Sequence, residues 1–78
     1  MTGTLADLKT LVGLQLGRST IDGSAHFVED LGAESADILN IILAVEDRYG
    51  IHIADRDMAD VRTTFDLYEL VKGLKGES

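Results

Sequence analysis

Few side chains in this sequence are equipped for chemistry, and their spacing narrows the choice further. His26 and His52 have 25 residues between them, and the chain holds no cysteine to act as a nucleophile or thiolate ligand. His26 and Glu29 are close enough to pair, which reads as a solvated loop contact rather than a reaction site. Asp55, Asp57 and Asp60 begin like a calcium loop. Asp60, however, takes the sixth position, where such a loop turns on glycine, and Asp66 rather than glutamate takes the twelfth. A capped, solvated helix accounts for them. No glycine-rich phosphate loop is present. What remains is a serine hydroxyl. Ser35 opens the clearest helical pattern in the chain, where a serine serves as an ordinary N-cap or stands exposed at the loop–helix junction. Ser19, Ser24 and Ser78 lie in loop-like or terminal stretches.

The elements that must position Ser35 are helical. Leu5, Leu8, Val12 and Leu16 sit near helical spacing over residues 4–16, with Thr4 as a cap and Gly17 as a stop. A long connection from Arg18 to Gly32 follows, which Ile21, Phe27, Val28 and Leu31 are expected to anchor to the core. The helix over 35–49 puts Ile38, Ile41, Ile42, Val45 and Tyr49 on one face and ends at Gly50. A short third helix is expected over 55–61, and a fourth over 64–73 with Thr63 or Thr64 as its cap and Lys72 near its negative end. No alternating run of useful length suggests a strand. The expected fold is all-α: one domain, residues 1–78, forming a small four-helix bundle with a long first loop and a short third helix.

The second helix carries an additional apolar stripe. Ala36, Leu39 and Leu43 fall well off the centre of the Ile38–Tyr49 face. They suit either a central helix that is apolar over a wide arc or a strip that meets a partner protein, with the acids Asp37, Glu46 and Asp47 beside it.

Fourteen acids against seven bases give a net charge of −7, which argues against nucleic-acid backbones and anionic membranes as partners and favours basic protein surfaces. No apolar run approaches the roughly 20 residues of a membrane span, and the first residues lack a signal peptide's basic start and apolar run. A monomeric cytoplasmic protein is expected.

The run Asp30-Leu31-Gly32-Ala33-Glu34-Ser35-Ala36-Asp37, continued by the helix ending Glu46-Asp47-Arg48-Tyr49-Gly50-Ile51, resembles the heart of acyl carrier proteins. The resemblance extends upstream through Phe27-Val28-Glu29 and downstream through Thr63-Thr64-Phe65-Asp66-Leu67. It implies a non-catalytic carrier whose Ser35 hydroxyl takes a 4′-phosphopantetheine arm, with the cargo held as a thioester on the arm's thiol. It implies that Glu34, Ala36, Asp37, Leu39, Leu43, Glu46 and Asp47 meet partners. Those partners would be a phosphopantetheinyl transferase and a loading ligase, synthase or transferase with a basic docking patch. Ile38, Ile42 and Val45 match positions bordering a space that shelters an acyl chain. A fatty-acid, lipid or polyketide pathway follows from the resemblance. The alternatives are an aminoacyl or peptidyl cargo, or an unmodified binding module. Glu34 stands where the family usually has aspartate and Ala36 where it usually has leucine. Asn40 and Arg48 replace frequent acids, which suggests a dedicated set of partners.

Overall fold

The computed structural model describes residues 5–76; Thr4, the expected first cap, and Ser78 lie outside them. Four helices follow in order: α1 (Leu5–Leu16), α2 (Ser35–Tyr49), α3 (Asp55–Met58) and α4 (Thr64–Leu74). α1 packs on both α2 and α4, and one core joins them. Leu8 and Val12 enter it from α1, Ile41, Val45 and Tyr49 from α2, and Leu67 and Val71 from α4. Each side chain comes from the apolar side of its own helix, so burial and the helical period select the same residues.

Sharp reversals need glycine at two places. After α1 the chain folds back so closely that a Cβ on Gly13 would lie 2.7 Å from the Arg18 carbonyl oxygen, and the Arg18 N–H donates to the Gly13 carbonyl at 2.8 Å. Gly50 ends α2 with φ of 64°, its N–H bonded to the Glu46 carbonyl at 2.9 Å. A left-handed residue here lets the chain leave the helix while still closing its last turn.

The long loop between α1 and α2 is anchored by Ile21, Phe27 and Ala33, all buried, and by Leu31 packed against them. The Phe27 N–H donates to the Arg62 carbonyl at 2.8 Å, and His26 forms an isolated bridge with Thr63. This tie to the segment before α4 joins residues far apart in sequence, so no local pattern announces it. Val28, expected as an anchor, instead points outward and is 56% exposed. The cause is a tight turn in which the N–H groups of Asp30 and Leu31 both reach the His26 carbonyl, leaving Val28 at its outer tip.

α3 is shorter than the expected 55–61. The N–H groups of Asp57, Ala59 and Val61 each bond to the carbonyl three residues earlier, so the segment tightens into single turns instead of extending. α4 starts on a capping box. The Thr63 hydroxyl accepts from the Asp66 N–H, while the Asp66 carboxylate accepts from the Thr63 and Arg62 N–H groups, both contacts near 3 Å. Those backbone donors, Arg62 first, hold the Asp66 carboxyl below the usual range.

Candidate functional site

Ser35 is the first residue of α2 and is exposed. The chain before it is held by backbone bonds and burial. The Ala33 N–H donates to the Phe27 carbonyl at 2.8 Å, and the Gly32 N–H donates to the Val28 carbonyl at 3.2 Å. The Asp30 carboxylate accepts from the His26 N–H at 2.8 Å, closing the turn that starts this approach. Ser35 is therefore presented from a fixed loop rather than a free end.

Glu34, not Ser35, is the cap residue, with extended backbone and no side-chain cap bond. Its own N–H donates to the Asp37 carboxylate at 2.9 Å. The first turn thus keeps backbone N–H groups directed outward beside Ser35, at the positive end of a 15-residue helix. The Ser35 hydroxyl has no hydrogen-bond partner among the described residues. Among the described residues no base prepares it as a nucleophile, and the residue is exposed. Such a hydroxyl suits modification by an outside enzyme. A phosphodiester there would face the free N–H groups and the helix dipole, so the residues present fit a phosphopantetheine ester.

Ala36, Leu39 and Leu43 are all exposed, Leu39 at 55% and Leu43 at 53%. The wide-arc explanation of the second stripe therefore gives way to an open apolar strip. The three acids beside it differ. Asp37 caps the helix start. Glu46 is half-buried, accepting from the Ile53 N–H at 2.7 Å with His52 Nδ1 3.4 Å away, so it fastens the turn after α2. Asp47 is exposed and has no partner among the described residues. Of the residues expected to border a cargo space, Val45 is fully buried, whereas Ile38 and Ile42 are partly buried against the core.

The other end of α2 carries a cluster absent from the sequence reading. Arg48 donates two hydrogen bonds to Asp7 of α1, at 2.7 and 3.2 Å, and the Tyr49 hydroxyl donates to the same carboxylate at 2.8 Å. The Lys75 ammonium reaches the Tyr49 carbonyl at 3.3 Å. The Arg48 guanidinium, and then the Tyr49 hydroxyl, hold the Asp7 carboxyl below the usual range. Burial, and then the bond to Asp7, pushes the Tyr49 phenol up to about 12. Asp7 and Arg48 are 41 positions apart, and only their opposite charges hinted at a pair. Arg48, which stands where acids are frequent in the resembling family, is thus employed in joining α1 to α2. Beside it, α1 and α2 bound an open groove of about 370 Å³ that includes Leu11, Leu14, Ala44 and Asp47.

No group of three or more metal-ligating side chains occurs among the described residues, and no described helix is long and apolar enough to cross a membrane.

Comparison with known proteins adds an independent line. Residues 6–71 match a family model described as the phosphopantetheine attachment site. An acyl carrier protein of Solidesulfovibrio magneticus is 33% identical over 72 residues, covering 90% of this chain and 92% of that one. Among solved structures, a Mycobacterium tuberculosis protein assigned as an acyl carrier protein superposes with a TM-score of 0.83 at 26% identity, covering 88% of this chain and 95% of its own. The holo acyl carrier protein of Geobacter metallireducens gives 0.82 at 18% identity, over 96% and 88% of the two chains; at that identity it speaks for the fold alone.

Proposed function

The chain belongs to the phosphopantetheine-attachment family of carrier proteins, whose members bear a covalent 4′-phosphopantetheine, and from that premise we propose that it carries acyl intermediates on an arm at Ser35. The observation that carries this reading is the Ser35 hydroxyl itself, exposed, unbonded and set at the start of a long helix on an anchored loop. When bound, the arm supplies a terminal thiol for thioester attachment, a group this cysteine-free chain lacks.

The chain's own residues have three tasks in this reading. Ser35 provides the ester oxygen, and the first-turn N–H groups of α2 stabilise the phosphate charge. Ala36, Leu39 and Leu43 present apolar surface to enzymes that dock in turn. Glu34, Asp37, Glu46 and Asp47 give that side a negative field, with Asp47 the acid most available for direct pairing. In this reading Ile38 and Ile42, only partly buried against the core, touch an apolar cargo, whereas contact with the fully buried Val45 requires α2 to shift first. The acidic balance and the branched side chains of Ile38 and Ile42 favour an acyl cargo from a specialised fatty-acid, lipid or polyketide pathway over an aminoacyl or peptidyl one. The partners proposed are a phosphopantetheinyl transferase and an acyl-loading ligase or synthase with a basic patch.

The test is direct. Purified protein is incubated with coenzyme A, magnesium and each of several transferases, and intact masses are compared for wild type and Ser35→Ala. Wild type should gain one arm and the variant none. An unmodified wild type across all transferases would leave the protein as a bare docking module, the reading that the uncapped Glu34 and the small Ala36 favour.

A further inference from the structure

The seam between α1 and α2 is more apolar than a solvated face requires. Leu14 is 76% exposed, the most exposed of the large apolar side chains among the described residues. It lines the 370 Å³ groove with Leu11 and Ala44, while Leu43 and Leu39 stand exposed on the same helix as Ala44. An exposed leucine alone needs no explanation, but one that lines a groove with Leu11 and Ala44 offers an apolar contact surface. The charges of the groove do not cancel. Arg48 is committed to Asp7 through two hydrogen bonds, whereas Asp47 has no partner among the described residues. Among the described residues the groove therefore combines apolar walls with one acid, Asp47, that no cation meets, in a chain of net charge −7.

We propose that this seam is a docking surface reaching onto α1, and that it takes a protein segment presenting an apolar side chain flanked by arginine or lysine. Leu14 is the apolar anchor, Asp47 the steering charge, and the Asp7–Arg48 pair holds the groove's two walls together. Charge disfavours a second copy as the occupant: it would bring −7 against −7, and in a symmetric contact the seam's own cation, Arg48, is already bonded to Asp7. The inference goes beyond the α2 strip, because it assigns α1 a share in choosing partners. It does not depend on whether Ser35 is modified.

The experiment titrates the ¹⁵N-labelled full chain with a synthetic amphipathic helical peptide of leucine and arginine, and separately with the same peptide carrying glutamate for arginine. The arginine peptide should shift the amides of Thr10, Leu14, Ala44 and Asp47. Leu14→Gln should weaken its binding about tenfold, as loss of an apolar anchor does. Asp47→Asn should weaken it about threefold and flatten its dependence on salt. Both side chains are exposed, so circular dichroism should show unchanged helicity. Shifts confined to Ala36, Leu39 and Leu43, with Leu14→Gln binding as wild type, would overturn the proposal. So would tighter binding of the glutamate peptide, or a dimer in sedimentation that Leu14→Gln abolishes. Loading of Ser35 is measured on the same samples. Groove binding without loading removes the carrier reading alone, and loading with a silent groove removes this proposal alone.

Discussion

At the Ser35 end of α2 the cap residue makes no side-chain hydrogen bond and Ser35, Ala36 and Leu39 meet solvent, whereas about 21 Å along the helix axis Asp7 of α1, Arg48 and Tyr49 of α2 and Lys75 just after α4 are tied together. Both ends are ordered, by different means. The Ser35 end is held from behind by a buried aromatic ring and by backbone bonds from Phe27 to Ala33 and Arg62. The far end is held by side chains bonding to one another. In the proposed function Ser35 is offered to several enzymes, and side-chain bonds around it would have to break at each encounter. Placing them at the opposite end stabilises the bundle without obstructing the site.

Four measurements break or sharpen this contrast. The largest effect is expected from Phe27→Ala, which removes a ring that is 2% exposed and should cost about 3–5 kcal/mol in urea unfolding. A loss below about 1 kcal/mol would mean that the Ser35 end is not held by this ring. Next comes alkaline pH. The fold keeps Tyr49 neutral by raising it from 10.0 to about 12, so its contribution is intact below pH 10 and is lost as pH climbs toward 12. Ultraviolet titration of the Tyr68→Phe variant isolates this phenol. A midpoint near 10 would deny its burial and its bond to Asp7.

Asp7→Asn should destabilise by about 1 kcal/mol, a value discounted because Arg48 is half exposed. The sign follows from the lowered Asp7 carboxyl. Its contribution is present above the ordinary carboxylate range and disappears as pH falls through the lowered value, so the variant should lose this part of the acid dependence. The smallest effect is a gain. Glu34→Asp puts a shorter carboxylate at the cap, within reach of first-turn N–H groups, and should stabilise by about 0.5–1 kcal/mol in thermal melts. No gain would show that those N–H groups are already satisfied, against the account of the site given above.

Much of the fold was legible because it is encoded locally. The apolar period from Ile38 to Tyr49, with Gly50 after it, bounds α2 at the residues observed. Thr63 or Thr64 marks the start of α4 in the sequence, and the bond from the Asp66 N–H to the Thr63 hydroxyl selects Thr63. Ser35 was legible for the same reason, as a hydroxyl at a helix start within a recognisable run. Val28 was misjudged because hydrophobicity does not say which side of a turn a residue takes. The length of α3 was misjudged because three acids suit a longer helix equally well. Glu46 looked like a free docking acid until the returning chain brought Ile53 and His52 to it.

By itself, then, the sequence determined the helices, the position of Ser35 and the existence of two apolar faces on α2. These depend on residues within a few turns of one another, whose relations are set by helical geometry. Only the tertiary structure decided that the second face is open, that Arg48 is committed to Asp7, and that Leu14 stands beside a groove. Each of those facts depends on how α1 and the long loop are laid against α2, and contacts between residues some 40 positions apart leave no periodic trace in the chain.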